Sequence, residues 1–237
     1  MSINSVQVKK KFGDKEVIND FTFEVKKGRV TVLVGPNGVG KSTWINIALA
    51  LIKPDKGFVR FDELSMEKSR DKIAVVFDDI PMVGYLNGYD NLNLLSGGMQ
   101  NHKAEILKEM NLTDELMKLK GKAYSFGQRH RIGVAAALMR NPEYLILDEP
   151  AVGIDLEGWE SLRRLLRKQA DKGTCILVTG HNYDLIEEIA DDILVIKDGV
   201  IFYEGSKQKF LEEGISLKEK YRELYIENKY EKNNEKN

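Results

Sequence analysis

The sequence predicts an α/β fold with a mostly parallel sheet, an antiparallel β subdomain and an inserted α-helical subdomain. Three observations carry that reading. Apolar, β-rich runs at 29–34, 73–77, 143–147, 174–179 and 192–197 alternate with helical patterns, as strands covered by helices on both faces do. Residues 3–11 and 17–26 instead alternate apolar and polar positions around Gly13-Asp14-Lys15, the pattern of an antiparallel pair joined by a turn. From about residue 79 to 140 the β-branched runs disappear and each periodic segment is helical, which marks an inserted lobe.

Taken in order, the strand 29–34 is followed by a mostly apolar helix over 44–51 and a turn cluster, Lys53-Pro54-Asp55-Lys56-Gly57. A short strand, Phe58 to Asp62, precedes the buried one at Ile73 to Phe77. The lobe holds short helices at 88–95, 101–110 and 113–120. Ser125 then caps a helix that runs to Arg140, carries Ala135, Ala136 and Ala137, and stops at Asn141-Pro142. Helices over 157–171 and 182–190 separate the last three buried strands, and a hairpin turns at Lys197-Asp198-Gly199. Residues 1–214 are expected to form one domain, with the helical subdomain at about 79–140. Residues 215–237 are expected to add a packed amphipathic helix, with Leu217, Tyr221, Leu224 and Tyr225 at helical spacing. A disordered polar tail from Lys229 to Asn237 follows.

With 36 basic residues against 37 acidic ones, the net charge is −1. That balance gives no support for nucleic acid as a partner. An apolar content of 42% is ordinary for a chain that buries a core. The lone cysteine, Cys175, sits in a core strand and predicts a reduced compartment and an inert thiol. No apolar run reaches the ~20 residues of a membrane span, and no secretory signal is visible. A cytoplasmic protein is expected, with any membrane role exerted through a partner.

The chemistry begins at Gly35-Pro36-Asn37-Gly38-Val39-Gly40-Lys41-Ser42-Thr43, which satisfies G-x-x-x-x-G-K-[ST] between a strand and a helix. In that context the pattern is a phosphate cradle, and the fold becomes a P-loop NTPase core. Backbone N–H groups can wrap a phosphate only where no Cβ intervenes. The helix that opens at Gly40 aims its unpaired N–H groups at the same anion. Lys41 would contact the β- and γ-phosphates and Ser42 would bind Mg²⁺. Further on, the strand Tyr144-Leu145-Ile146-Leu147 ends in Asp148-Glu149. Beside a P-loop, such a pair suits a metal-shell aspartate and a base that polarises a water.

These motifs resemble those of the ATP-binding subunit of ATP-binding-cassette (ABC) transporters over about residues 2–212. The resemblance implies ATP and Mg²⁺ as cofactors. It implies that Phe12, otherwise a staple residue of the hairpin, stacks on adenine with Val17 beside it. Asp148 and Glu149 match the metal-binding aspartate and the catalytic glutamate, and Gly153-Ile154-Asp155 resembles the loop that crosses to a partner subunit. His181, which alone would be read as a surface or capping residue, matches the histidine that contacts the γ-phosphate.

The family's signature, Leu-Ser-Gly-Gly-Gln, has two candidates. Leu95-Ser96-Gly97-Gly98-Met99-Gln100 looks like it but is followed by no long small-residue helix. Tyr124-Ser125-Phe126-Gly127-Gln128 starts such a helix, with Ser125 lying 23 positions before Asp148. We read the second as the signature. Ser125, Gly127 and Gln128 would then bind ATP held by a second nucleotide-binding subunit, either another copy or a related paralogue. Two positions depart from the common pattern: Phe126 replaces a glycine, and Asp78 stands where a metal-contacting glutamine is usual. Both resemble a subgroup of bacterial exporters of antimicrobial peptides and lantibiotics. An acid can still ligate Mg²⁺, which prefers oxygen donors.

The function this implies is an ATPase on the cytoplasmic face of the cell membrane, powering an exporter through a separate transmembrane permease subunit. The lobe and the segment after Asp78 would dock that subunit. Pro81, Met82, Val83 and Tyr85 there suit either a partner groove or loop packing. Alternatives are a nucleotide-gated dimerising module with weak hydrolysis, favoured by Phe126 and Asp78, and a soluble cassette ATPase unconnected with transport.

Overall fold

The computed structural model describes residues 1–211 and 215–223. β1 (Ser2–Phe12) and β2 (Lys15–Lys26) form the expected antiparallel pair. β3 (Val30–Val34) is buried at every position and leads through a turn into α1 (Lys41–Ala48). That helix begins earlier than its apolar run, because the turn ends at Gly40 and the helix opens on the polar residues Lys41-Ser42-Thr43. Next come β4 (Lys56–Phe61), a one-turn α2 (Met66–Ser69), a 3₁₀ turn at Arg70–Lys72 and β5 (Ile73–Val76).

Between β5 and the next strand the described chain holds helices, joined by turns and loops, and one isolated bridge, Asn87 to Lys120. The helical elements are α3 (Gly88–Leu95), α4 (Lys103–Glu109), α5 (Asp114–Lys118), a 3₁₀ turn at Gly121–Ala123 and α6 (Phe126–Met139). The chain then runs through β6 (Tyr144–Leu147), α7 (Leu156–Asp171), β7 (Cys175–Gly180), α8 (Tyr183–Ile189) and β8 (Asp192–Lys197). β9 (Val200–Ser206) and α9 (Lys207–Phe210) follow. Residues 217–223 are helical. Leu217 and Tyr221 are buried against the main core, and the Tyr221 ring stacks on Tyr183 at 4.8 Å. The expectations for Leu224, Tyr225 and the tail from Lys229 lie outside the described residues.

The strands form one nine-stranded sheet in the order β4-β1-β2-β9-β8-β3-β7-β6-β5. The run from β8 to the β5 edge is parallel, while β9 pairs antiparallel with β8, and β1 pairs antiparallel with β2 and β4. The antiparallel subdomain joins the parallel sheet where β2 pairs with β9 at Asp20 and Val200. Side chains of β3 alternate between two cores. Val30, Val32 and Val34 share one core with residues of α6, α7 and α8, and Leu33 shares the other with Trp44 and Ile45 of α1. Each fully buried large side chain contributes about 1.5–3 kcal/mol, so both faces are anchored. Cys175 is buried, its thiol pushed up to about 12 by burial, which fits an inert role.

Candidate active site

Because β3, β5, β6 and β7 are parallel neighbours, their C-terminal ends lie along one edge of the sheet. Ligands bind outside the carboxyl ends of such strands. The residues that follow those ends are the P-loop, Asp78, the Asp148–Glu149 pair and His181. At Gly40 the backbone is left-handed, with φ +116°, and a Cβ there would lie 3.1 Å from the Val17 carbonyl oxygen. Only glycine meets both demands.

Lys41, 6% exposed, donates from its ammonium to the carbonyls of Gly35 at 2.8 Å and Pro36 at 3.3 Å. The same ammonium lies 3.4 Å from Glu149 Oε1. A buried cation needs partners of this kind to offset its desolvation. The other Glu149 oxygen is 2.8 Å from His181 Nδ1. Glu149 itself is held in left-handed backbone, with φ +52°. Its amide N–H donates to Thr179 Oγ1 at 3.1 Å.

Asp148 is 2% exposed and accepts hydrogen bonds from the hydroxyls of Thr179 and Ser42. Burial lifts its carboxyl above the usual carboxylate range; the two hydroxyls oppose that shift, and the nearby Asp78 and Glu149 charges add to it. Among the described residues no three His, Cys, Asp or Glu side chains converge as a metal cage. One hydroxyl beside a buried, charge-stressed carboxylate, with Asp78 close by, does suit Mg²⁺. That ion takes one or two carboxylates and completes its shell with water and substrate phosphate.

A cleft of about 430 Å³ opens over these groups. Asn37, Gly38, Gly40, Lys41, Ser42, Thr43, Asp78, Glu149 and His181, all singled out in the sequence, line it. Gly35, Pro36 and Val39 form the turn behind, where a Cβ at Gly35 would come within 2.9 Å of Val39 Cγ1. Val17 backs the P-loop through its carbonyl. Phe12 lies outside the lining, 48% exposed, with the Lys10 ammonium 5.4 Å from its ring centre.

Ser125 caps α6, as its position in the sequence predicts, and pairs there with Gln128. The Ser125 hydroxyl accepts from the Gln128 N–H at 3.2 Å, and the Gln128 amide oxygen accepts from the Ser125 N–H at 2.9 Å. The start of α6 therefore carries a reciprocal capping box, which engages the Ser125 and Gln128 N–H groups and does not involve those of Phe126 and Gly127. Phe126 instead contributes to the lining of this chain's own cleft. Gly127 approaches the neighbouring loop so closely that a Cβ there would be 2.2 Å from the Gly153 carbonyl oxygen.

Sequence reasoning missed Asp79 and Val152, which also line the cleft, and Thr179, which binds both acidic residues. The signal for Thr179 was present: a hydroxyl among the apolar residues at the end of a core strand.

The family model described as ABC transporter matches residues 18–152. The lantibiotic transport ATP-binding protein SrtF of Streptococcus pyogenes is 32% identical, covering 84% of this chain and 90% of its own length. The bacitracin transport ATP-binding protein BcrA of Enterococcus faecalis is 34% identical over 83% of this chain and 67% of its own. Among solved structures, the dimeric ATP-binding cassette MJ0796, bound to ADP and phosphate after hydrolysis, superposes with a TM-score of 0.77. It is 25% identical, covering 87% of this chain and 99% of the other. No helix among the described residues is long and apolar enough to cross a membrane. The strand-end cleft, the P-loop and these likenesses together make the chain a member of the ABC transporter family, an ATP-binding subunit that hydrolyses ATP.

Proposed function

We propose that this subunit, one ATPase domain over 1–214 with its helical subdomain at about 79–140, powers the export of peptides or other antimicrobial compounds. It works on the cytoplasmic face of the cell membrane, paired with a second nucleotide-binding subunit and docked to a transmembrane permease. The observation that carries the reading is Glu149 held between Lys41 and His181 at the wall of the P-loop cleft. On ATP binding Lys41 exchanges Glu149 for phosphate oxygens. Glu149 is then released to orient and polarise the attacking water, while His181 keeps the carboxylate aimed and contacts the γ-phosphate. Ser42 and Asp148, with Asp78 at the rim, would hold Mg²⁺. When bound, that ion neutralises charge on the transferring phosphoryl oxygens. Phe12 and Val17 would receive the adenine. Ser125, Gly127 and Gln128 would close on the nucleotide of the opposite subunit.

The cargo class draws on the lantibiotic and bacitracin transport relatives. Permease docking is supported by a groove of about 300 Å³ beside β5, the last strand of the sheet. Val75, Phe77, Ile80, Pro81, Leu95 and Ala136 are among its lining residues. Of the segment singled out in the sequence, Pro81 faces this groove, Met82 packs on the core, and Tyr85 is 75% exposed.

The test is Glu149→Gln. With the base removed, ATP should be retained and a stable dimer should appear on size exclusion, while the unmutated chain hydrolyses ATP. Hydrolysis by Glu149→Gln within about threefold of the parent would remove Glu149 from the role given it, since loss of a positioned base costs ~10²–10⁴-fold.

A further inference from the structure

We infer that Thr179 is a positioning residue for hydrolysis, its one hydroxyl setting both Asp148 and Glu149. The inference rests on the roles proposed above for those two acids. Thr179 is fully buried at the penultimate position of β7, which lies between β3 and β6. Its neighbours in register are Leu33 on β3 and, one step beyond the Leu147–Val178 pair, the start of the Asp148 loop. An amide N–H can only donate, so the 3.1 Å contact from Glu149 makes Thr179 Oγ1 the acceptor. The hydroxyl has one proton, and it goes to Asp148 Oδ1. The single proton and one lone pair of this hydroxyl thus serve successive residues with different tasks.

Each bond answers a specific need. Glu149 occupies left-handed backbone at φ +52°, a conformation that persists in a non-glycine residue only when its surroundings hold it. The Thr179 oxygen fixes the amide of that residue and with it the direction of the carboxylate that meets Lys41 and His181. Asp148 is buried, and the Thr179 proton commits its Oδ1. Outer-shell partners of this kind typically change metal affinity or activity by about 10–100-fold. Serine keeps both bonds, whereas valine keeps the shape and loses both.

The experiment compares Thr179→Val and Thr179→Ser in the full chain, with Thr179→Ala in reserve should the valine variant not fold. Asp148→Asn serves as the reference. Binding of a fluorescent ATP analogue is titrated with Mg²⁺, and hydrolysis is measured alongside. Thr179→Val should bind the analogue without Mg²⁺ as the parent does. Its half-saturating Mg²⁺ should rise about tenfold and its kcat fall about 10–100-fold, with KM for ATP within about threefold. Thr179→Ser should restore both to within about threefold. Thr179→Val with the parent's Mg²⁺ dependence and kcat, beside a defective Asp148→Asn, would overturn the Thr179 role alone. A serine variant as impaired as the valine one would also overturn it, by showing that the methyl group matters and not the hydroxyl. An Asp148→Asn chain with unaltered Mg²⁺ dependence would remove the reading of the acids, and the Thr179 role with it.

Discussion

Ser96-Gly97-Gly98 and Ser125-Phe126-Gly127 are close relatives in sequence, and the fold puts them at opposite ends of helices. The first follows α3: Ser96 N–H donates to the Leu92 carbonyl and Gly98 N–H to the Asn93 carbonyl, both at 2.9 Å. Its glycines are left-handed, with φ +65° and +82°, the usual device for stopping a helix. The second begins α6, with Ser125 in extended backbone as the cap. At a helix C-terminus the groups on offer are carbonyls and the negative end of the dipole, which repel phosphate. An N-terminus offers the reverse. Serine and glycine therefore say little about anion binding until the helix end they occupy is known.

Three substitutions test that contrast, beyond those at Glu149 and Thr179. The largest effect is expected from Gly127→Ala, whose Cβ would press within 2.2 Å of the Gly153 carbonyl oxygen. Neither partner is the far end of a flexible side chain, so α6 or the loop must shift. We expect ATP hydrolysis to fall at least about tenfold and stability by about 1–3 kcal/mol in a denaturant melt. Ser125→Ala comes next. Loss of the cap should cost about 1 kcal/mol, with a smaller fall in hydrolysis because the Gln128 backbone N–H loses the Ser125 hydroxyl while its side chain keeps the Ser125 N–H.

Gly98→Ala should matter least to function. A Cβ there meets nothing within 4 Å, so only the left-handed backbone resists it, at roughly 1–2 kcal/mol. Its hydrolysis rate should equal the parent's. A Gly98→Ala chain that loses hydrolysis as severely as Gly127→Ala, at equal fold stability, would break the contrast and return the 95–100 stretch to consideration as the signature.

Much of the site was legible because its motifs are local. A strand, a glycine turn and a lysine-led helix are adjacent in the chain, and each constrains backbone within a few residues. The same holds for Ser125 and Gln128, three positions apart in one capping box. The start of α1, three positions ahead of the apolar run that begins at Trp44, was likewise legible from the turn at Gly40.

By itself the sequence determined the strand–turn–helix of the phosphate site, the buried strands, the two acids after β6 and the helical lobe, all written in period, composition and turn chemistry. The tertiary structure decided what depends on register. It joined the antiparallel strands to the parallel sheet at Asp20 and Val200, brought Phe126 to the cleft of its own chain, and set Thr179 against Asp148 and Glu149. Those contacts link residues far apart in the chain through the stagger of neighbouring strands. That stagger is chosen by the packing of two whole cores, and no short stretch of sequence encodes it.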